Sequence, residues 1–422
     1  MKITMPYGET AMEALLPEGI PVQLVDIPPA AVSQSESDML AQAMEHPIGT
    51  ETLKRMVSPK DSVVIVVNDQ TRPGPNARIM EAIAAQLDAA GVPDENVTVL
   101  FATGSHRAPT PAEMETIVGK SVYQRYRMVA HRCTDDASLA YLGDTPEGMP
   151  LYINRYAAQC TFLITTGLIT QHHCAGYSGG RKSIVPGIAG FQTLHYHHSF
   201  PVYQYEPAMD FMHGNPFHEI ALEAAKKAGV RFIVNAVQDT HKNVVGFVAG
   251  DLEQAHEAGI ALCRQVSVTE VERRADVIIA SPGGAPRDID LYQSQKALSV
   301  AELICREPCV FILVAACSDG FGEGSFREIM ETYADPDEII GAYAREGFTV
   351  GSNKAFNYAR ALKKGRIIVV TQSLSRESVE RAHLEWAATL QDAVNMAIEP
   401  GTAPTVTVIP HASGIYVRVK DE

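Results

Sequence analysis

The chain of 422 residues is longer than one hydrophobic core ordinarily serves, so two domains are expected. With 46% hydrophobic and 20% charged residues it falls among folded globular proteins, which excludes a disordered or fibrous chain. A formal net charge of -15 sets the long-range field against nucleic acid and anionic membranes, excluding both as general partners, whereas a small anion can still be held by a local cluster of Arg, Lys and His.

Seven cysteines, Cys133, Cys160, Cys174, Cys263, Cys305, Cys309 and Cys317, are scattered without a CxxC pair. Their odd number argues against a complete disulfide framework and for a reducing compartment. The first twenty residues hold no long apolar run, and nowhere do about 18 apolar residues follow one another, so neither export nor membrane spanning is expected. The expected location is the cytoplasm.

In chain order, β-branched runs alternate with amphipathic stretches. Strands are expected at 62–67 (SVVIVV), 97–102 (VTVLFA), 162–166 (FLITT), 231–237 (RFIVNAV) and 276–280 (DVIIA), with helices at 77–91, 216–228 and 252–267. Later strands are expected at 310–316, 366–370 and 406–410, again separated by helical segments. This alternation predicts two α/β domains with mostly parallel sheets and an active-site cleft between them. The charge-rich stretch 265–276 is the expected boundary. It would divide an N-terminal cofactor-binding and catalytic domain over 1–268 from a C-terminal α/β domain over 272–400. The last segment, 401–422, would be a strand or tail packing back on the N-terminal domain. No internal repeat or long Gly/Ser linker is present. The glycine-rich stretch 319–324 (DGFGEG) is open to two readings, a hinge or lid and a plain turn.

The polar motifs fall just after expected strands. Residues 68–75 (NDQTRPGP) offer Asp69 as an acceptor for ribose hydroxyls, Thr71 as a donor to phosphate, and Arg72 as a planar fork for carboxylate or phosphate; the same residues also suit an ordinary turn. Residues 101–110 (FATGSHRAPT) place His106 at the same kind of strand end. An imidazole with a pKa near 6.5 can take and return a proton there, although a loop-capping role fits the spacing as well.

Residues 170–190 (TQHHCAGYSGGRKSIVPGIAG) join two histidines to a glycine-rich loop with Arg181, Lys182 and Ser183. The glycines allow backbone amides to approach an anion closely. Arg181 stands where a Walker A loop requires glycine, which disfavours a nucleoside triphosphatase. What remains is an anion-cradling loop whose lysine either stays charged or forms a covalent link, set against a basic surface loop. In 193–200 (TLHYHHSF), His195, His197 and His198 crowd together, and one of them as a metal ligand competes with a solvated helix surface.

Together these residues resemble the lactate racemase family, whose members use a nickel-pincer nucleotide. The resemblance rests on DxTRP at Asp69 to Pro73, ATGxHR at Ala102 to Arg107, HxxAGxSGGRKSxxPGIA at His172 to Ala189, the His198–Ser199 pair, and YQxxK at Tyr292 to Lys296. It implies a 2-hydroxy acid racemase or epimerase. Lys182 would hold the pyridinium nucleotide (nickel pyridinium-3,5-bisthiocarboxylic acid mononucleotide) through a thioamide bond, and His198 would complete the nickel coordination, with His197 as the alternative ligand. Ser178, Gly179, Gly180 and Arg181 would cradle the cofactor, and Asp69 and Thr71 would contact its nucleotide. His106 and His172 would be the acid/base pair on opposite faces of the substrate carbon. Arg72 and Lys296 would hold the carboxylate, and Tyr292 and Gln293 would line the pocket. The implied partners are a small anionic 2-hydroxy acid and the enzymes that build the cofactor.

The implied chemistry is hydride transfer to the cofactor and back, which avoids the dianionic enediolate that direct proton abstraction would leave. The sequence departs from the family pattern at His197, where asparagine is expected, and at His173 and Cys174, where aromatics are expected. Around 351–360 (GSNKAFNYAR) no aromatic pocket residue is located. These departures leave a bulkier or more polar 2-hydroxy acid as compatible as lactate. A hydroxy-acid lyase or dehydratase without a covalent cofactor, and a non-catalytic nucleotide or metabolite carrier, are the alternative functions.

Overall fold

The computed structural model describes residues 1–420. The chain folds into two units, one built from residues 29–203 and 210–266, the other from residues 1–28, 204–209 and the chain from Ser267 onward.

The first unit is organised around a six-stranded sheet. Its strands are Val63–Asn68, Val97–Ala102, Arg127–Ala130, Phe162–Ile169, Val230–Gln238 and Val244–Gly250. Five run parallel, and Val244–Gly250 closes one edge antiparallel to Val230–Gln238. The central strand is a run of Val and Ile with Ile65, Val66 and Val67 fully buried, because helices cover both faces of a parallel sheet and leave no side for polar alternation. Helix Asn76–Ala89 buries Ile79, Met80, Ile83 and Leu87 at helical spacing. Helix Pro111–Val118 starts cleanly: Thr110 accepts from the Glu113 amide, Glu113 reaches back to the Thr110 amide, and Pro111 takes the first turn.

From Val63–Asn68 the chain adds Val97–Ala102 and Arg127–Ala130 on one side, then returns to place Phe162–Ile169 on the other. The strand order therefore reverses between Val63–Asn68 and Phe162–Ile169, the kind of position at which open α/β sheets gather ligands beyond the carboxyl ends of their strands. The NDQTRPGP, FATGSHR and QHHCAGYSGGRK segments all leave the carboxyl ends of this strand group.

The second unit holds a wholly parallel sheet in the order Glu385–Ala387, Gly365–Val370, Cys305–Val314, Ala275–Ala280, Val406–Ile409, Val22–Leu24. An antiparallel hairpin, Lys2–Tyr7 with Thr10–Leu15, packs Ile3, Met5 and Ala14 against one face. Helices Leu291–Ala301 and Ser352–Lys364 cover the other with Leu291, Leu298, Ala355 and Tyr358. The sheet has its own reversal point beside Ala275–Ala280, and helix Leu291–Ala301 follows that strand.

Both sheets match the expected α/β class, but the partition differs from the expected one. Residues 1–28 belong with the second unit, because Val22–Leu24 pairs with Val406–Ile409 at that sheet's edge. The segment from 401 lies in the second unit as well: Val406–Ile409 is an internal strand, and Tyr416–Val419 pairs with Val268–Val271. Residues 319–324 form a turn whose Gly320 and Phe321 carbonyls accept from the Leu291 and Tyr292 amides, which seats the start of helix Leu291–Ala301.

Glu302 and Arg360 form a two-pronged pair, each bond 2.7 Å, with both side chains at most 2% exposed. The remaining Arg360 nitrogen donates to the Tyr205 carbonyl at 2.6 Å, which fastens the short 204–209 excursion to this unit. Glu302→Ala leaves a buried guanidinium without its counter-charge and is expected to lower stability by about 3–5 kcal/mol, whereas replacing both residues with apolar ones should recover most of the loss. Urea unfolding of the single and double variants checks this; equal losses would show that charge burial is not the cause.

Candidate active site

Asp69 lies just past the end of Val63–Asn68 and is 2% exposed. One carboxylate oxygen accepts from the Thr71 amide at 3.1 Å and the Thr71 hydroxyl at 2.6 Å; the other faces His106 Nδ1 at 2.8 Å. Burial alone would raise the Asp69 pKa, but the His106 and Thr71 hydrogen bonds and the charges of His106 and Arg72 outweigh it and hold the carboxyl below its ordinary value. Both oxygens of this residue, expected to meet the nucleotide, are thus engaged within the protein. Arg72 donates to the Thr71 carbonyl and hydroxyl, each at 3.1 Å, so the guanidinium is steadied beside His106. Asp69, Thr71, Arg72 and His106 form one contiguous cluster.

The loop carrying His106 is tied to the glycine-rich segment, since the Gly104 amide donates to the Gly187 carbonyl at 2.9 Å and the Gly187 amide to the Lys182 carbonyl at 3.0 Å. Gly179 and Gly180 both have positive φ, +78° and +51°, and a Cβ on Gly179 would sit 2.8 Å from the Ile169 side chain. Only glycine allows the backbone to turn this tightly against the strand. The Gly180 amide is held by Asn235 at 3.0 Å, and the Ser178 hydroxyl donates to the Leu168 carbonyl at 2.8 Å. Ser178 therefore stitches the loop to the strand end.

Arg181 is 1% exposed. It donates to the Ala175 carbonyl at 2.7 Å and stands 3.2 Å from His256 Nε2, while its Nε is buried with no partner. Desolvation presses its pKa down to about 9. Lys182 points elsewhere: its Nζ lies 5.8 Å from the Phe217 ring centroid, a ring that also touches His197 at 3.9 Å and His198 at 5.0 Å.

The two neighbouring histidines differ. His197 is fully buried and donates Nε2–H to the Phe217 carbonyl at 2.8 Å, a ring used for packing. His198, half-buried, places Nδ1 3.2 Å from the Leu194 carbonyl, which orients Nε2 as its second nitrogen. Desolvation, with the Lys182 charge added, lowers the His198 pKa to about 3, so its imidazole is neutral at physiological pH. Among the described residues no group of three or more His, Cys, Asp or Glu side chains is disposed to hold a metal.

His172 stands on a two-residue strand, Gln171–His172, paired with Gly176–Tyr177. The hairpin is pinned by the Tyr177 hydroxyl on Asp210, which Arg264 also engages at 2.7 Å. Tyr292, Gln293 and Lys296 lie in the other unit on helix Leu291–Ala301, with Lys296 donating to Gln293 at 2.9 Å. There Lys354 sits 5.5 Å over the Tyr292 ring and donates to Gln295 at 3.0 Å. Lys354, Asn235, Phe217 and His256 lie outside the family-like motifs. Asn235 alone left a signal, as a polar residue inside the apolar run RFIVNAV.

The chain matches known families over most of its length. Residues 7–210 match the lactate racemase N-terminal domain and residues 270–417 the lactate racemase C-terminal domain. The chain belongs to the lactate racemase family. It is 33% identical over 391 residues to the lactate racemase of Lactiplantibacillus plantarum, covering 91% of each chain. To that of Thermoanaerobacterium thermosaccharolyticum it is 32% identical over 426 residues, covering 99% of each. The lactate racemase apoprotein structure from the latter organism superposes with a TM-score of 0.88 at 30% identity, over 99% of this chain and 100% of that one. A Thermotoga maritima protein shares the fold, with a TM-score of 0.66 at 16% identity over 94% of this chain and 100% of that one. Membership in the lactate racemase family makes this protein an isomerase.

The Asp69 carboxylate gives a pH-dependent test. Because its folded pKa lies below the unfolded value of about 3.9, it adds stability that is present above that value and is lost as pH falls through the folded pKa. Asp69→Asn should therefore be less stable than the unsubstituted protein at about pH 7, with the gap closing as pH falls below the unfolded value. Denaturant midpoints across that range check it, and a gap that stays constant with pH would contradict it.

Proposed function

We propose that this protein is a racemase or epimerase of a small 2-hydroxy acid, lactate or a larger, more polar analogue, that works with a nickel-pincer nucleotide carried covalently on Lys182. The observation that carries the reading is the gathering of two separately anchored histidines, His106 and His172, in the same unit as Lys182 and His198. Inverting a hydroxyl-bearing centre needs proton exchange at the hydroxyl oxygen on each of two faces, and two histidines supply it.

The residues fit the proposed cofactor. A neutral His198 ring with Nδ1 engaged by a backbone carbonyl is prepared to bind a metal through Nε2, as imidazole suits nickel. With no protein cluster of donors among the described residues, a metal at His198 would take its remaining donors from the cofactor, whose sulfurs are soft ligands. The orphaned Nε of buried Arg181 offers a positive, hydrogen-bonding wall to the glycine-rich loop. His197, committed to the Phe217 carbonyl, is the weaker ligand candidate.

The cofactor supplies a hydride acceptor, which spares the enzyme a carbanion. The chain's own residues do the rest. Arg72, a planar fork steadied by Thr71, is suited to the substrate carboxylate. Lys296, Tyr292 and Gln293 are the substrate-binding candidates of the other unit, with Lys296 donating to Gln293. His106, backed by Asp69, takes the hydroxyl proton at Nε2 on one face, and His172 serves the other. Cofactor-building enzymes are the expected partners during maturation, and the cytoplasm is the expected site of action.

Protein made together with those enzymes and nickel should carry an adduct on Lys182, seen by intact mass and peptide mapping. Lys182→Ala should lose both adduct and racemisation, while His106→Ala or His172→Ala should keep the adduct and lose turnover by about 10²-fold or more. An unmodified Lys182 in a host that modifies another family member would overturn the proposal in favour of a lyase or carrier.

Nickel content separates the adjacent histidines. His198→Ala should lose nickel while His197→Gln retains it, as read by metal analysis of the purified proteins. The opposite pattern would move the ligand by one residue.

A further inference from the structure

We propose that the two acid/base histidines are held in opposite tautomers before substrate arrives: His106 with its proton on Nδ1 and a bare Nε2, His172 with a bare Nδ1 and its proton on Nε2. This rests on the racemase reading for its use in catalysis, but the tautomers themselves follow from what faces each ring.

Around His106, everything that meets Nδ1 is an acceptor. Asp69 presents a carboxylate oxygen at 2.8 Å. The Thr71 hydroxyl, 3.3 Å away, has spent its proton on the other Asp69 oxygen at 2.6 Å and turns only lone pairs towards Nδ1. Arg72 donates to that same hydroxyl at 3.1 Å, in keeping with its acceptor role. A carboxylate held ionised can only accept, so Nδ1 must carry hydrogen and the neutral ring keeps its lone pair on Nε2.

Around His172 the polarity is reversed. The amide N–H of Cys174 points at Nδ1 from 3.3 Å and that of Ala175 from 3.4 Å, and the Cys174 sulfur lies 3.3 Å away. Amide groups cannot accept through nitrogen, so Nδ1 must offer its lone pair and the proton of the neutral ring lies on Nε2. The Ala175 amide is set through its own peptide plane, whose carbonyl is that of Cys174, and through the next plane along the chain. The Cys174 carbonyl is held by Asn215 at 3.0 Å and the Ala175 carbonyl by Arg181 at 2.7 Å, and Asn215 and Arg181 are both at most 1% exposed. Asp69 is thus the positioning residue for one histidine, and Asn215 and Arg181, acting through the 174–175 backbone, are the positioning residues for the other.

The consequence is an asymmetric pair. On one face the substrate hydroxyl meets a proton acceptor, and on the other the oxygen meets a donor. For two enantiomers the equilibrium constant is one, so kcat/KM must be equal in the two directions. The asymmetry can show only as unequal kcat and KM sharing one ratio.

The test reads the tautomers directly, in full-length protein labelled with ¹⁵N-histidine, by long-range ¹H–¹⁵N correlation near neutral pH. His106→Gln and His172→Gln spectra assign the signals. The expected result is a pyrrole-type Nδ1 and pyridine-type Nε2 for His106, and the reverse for His172. Asp69→Asn should move His106 towards the Nε2–H form, because the carboxamide can present a donor. Cys174→Ala should leave His172 unchanged, because both amides remain. Asn215→Ala, by loosening those amides, should give His172 a mixed signal. The same tautomer at both rings, or a protonated Nδ1 on His172, would overturn the proposal. A His106 signal indifferent to Asp69→Asn would overturn Asp69 as its cause. Because the spectra need neither cofactor nor substrate, they stand even if no 2-hydroxy acid proves to be racemised.

Discussion

The first unit depends on a cation placed where water cannot reach it. Arg181 is enclosed by backbone carbonyls and a histidine, and among the described residues none of its partners is a carboxylate. A guanidinium in such a place is costly unless its surroundings stay in register, so the loop must close on it in one way. That single requirement fixes the Ala175 peptide behind His172, draws the tight turn at Gly179 and Gly180 onto the Phe162–Ile169 strand, and directs the next residue, Lys182, towards Phe217 and the His197–His198 pair. The order Arg181 then Lys182 puts one cation inside the loop and the next beside Phe217.

What orients the candidate histidines is mostly main chain. His172, His197 and His198 each engage a backbone amide or carbonyl, whereas His106 meets a side-chain carboxylate. Backbone partners survive substitution of neighbouring side chains. Side chains beside the rings, as at His173 and Cys174, can therefore vary without disturbing how the rings are aimed.

The sequence made the sheets legible wherever a strand is buried on both faces, because there the residues must be apolar and β-branched: 62–67, 97–102 and 366–370 lie within a residue of Val63–Asn68, Val97–Ala102 and Gly365–Val370. It concealed the elements that answer to other constraints. The hairpin Lys2–Tyr7 with Thr10–Leu15 has one face exposed and mixed composition, and Val22–Leu24 is too short to show a period. The motifs singled out His106, His172 and the SGGRK loop as candidates, since their spacing is local. Asp69 was legible as an acceptor but not as the partner of His106, because 37 residues separate them and only the parallel pairing of their strands brings them together. The different carbonyls that His197 and His198 meet were likewise not legible in their spacing.

The chain changes unit at residues 28–29, 203–204, 209–210 and 266–267, so neither unit is one continuous stretch of sequence. A fragment beginning near residue 267 would lack Val22–Leu24 and the first hairpin. It would leave Val406–Ile409, fully buried along its length, as a bare edge with a row of unpaired amides and carbonyls. An apolar edge of that kind recruits other strands, so such a fragment is built to self-associate rather than to fold. During synthesis the first 28 residues must wait until more than 370 later residues have been made before Val22–Leu24 can meet its partner strand. This contact of very high sequence separation delays completion of the second sheet to the end of the chain.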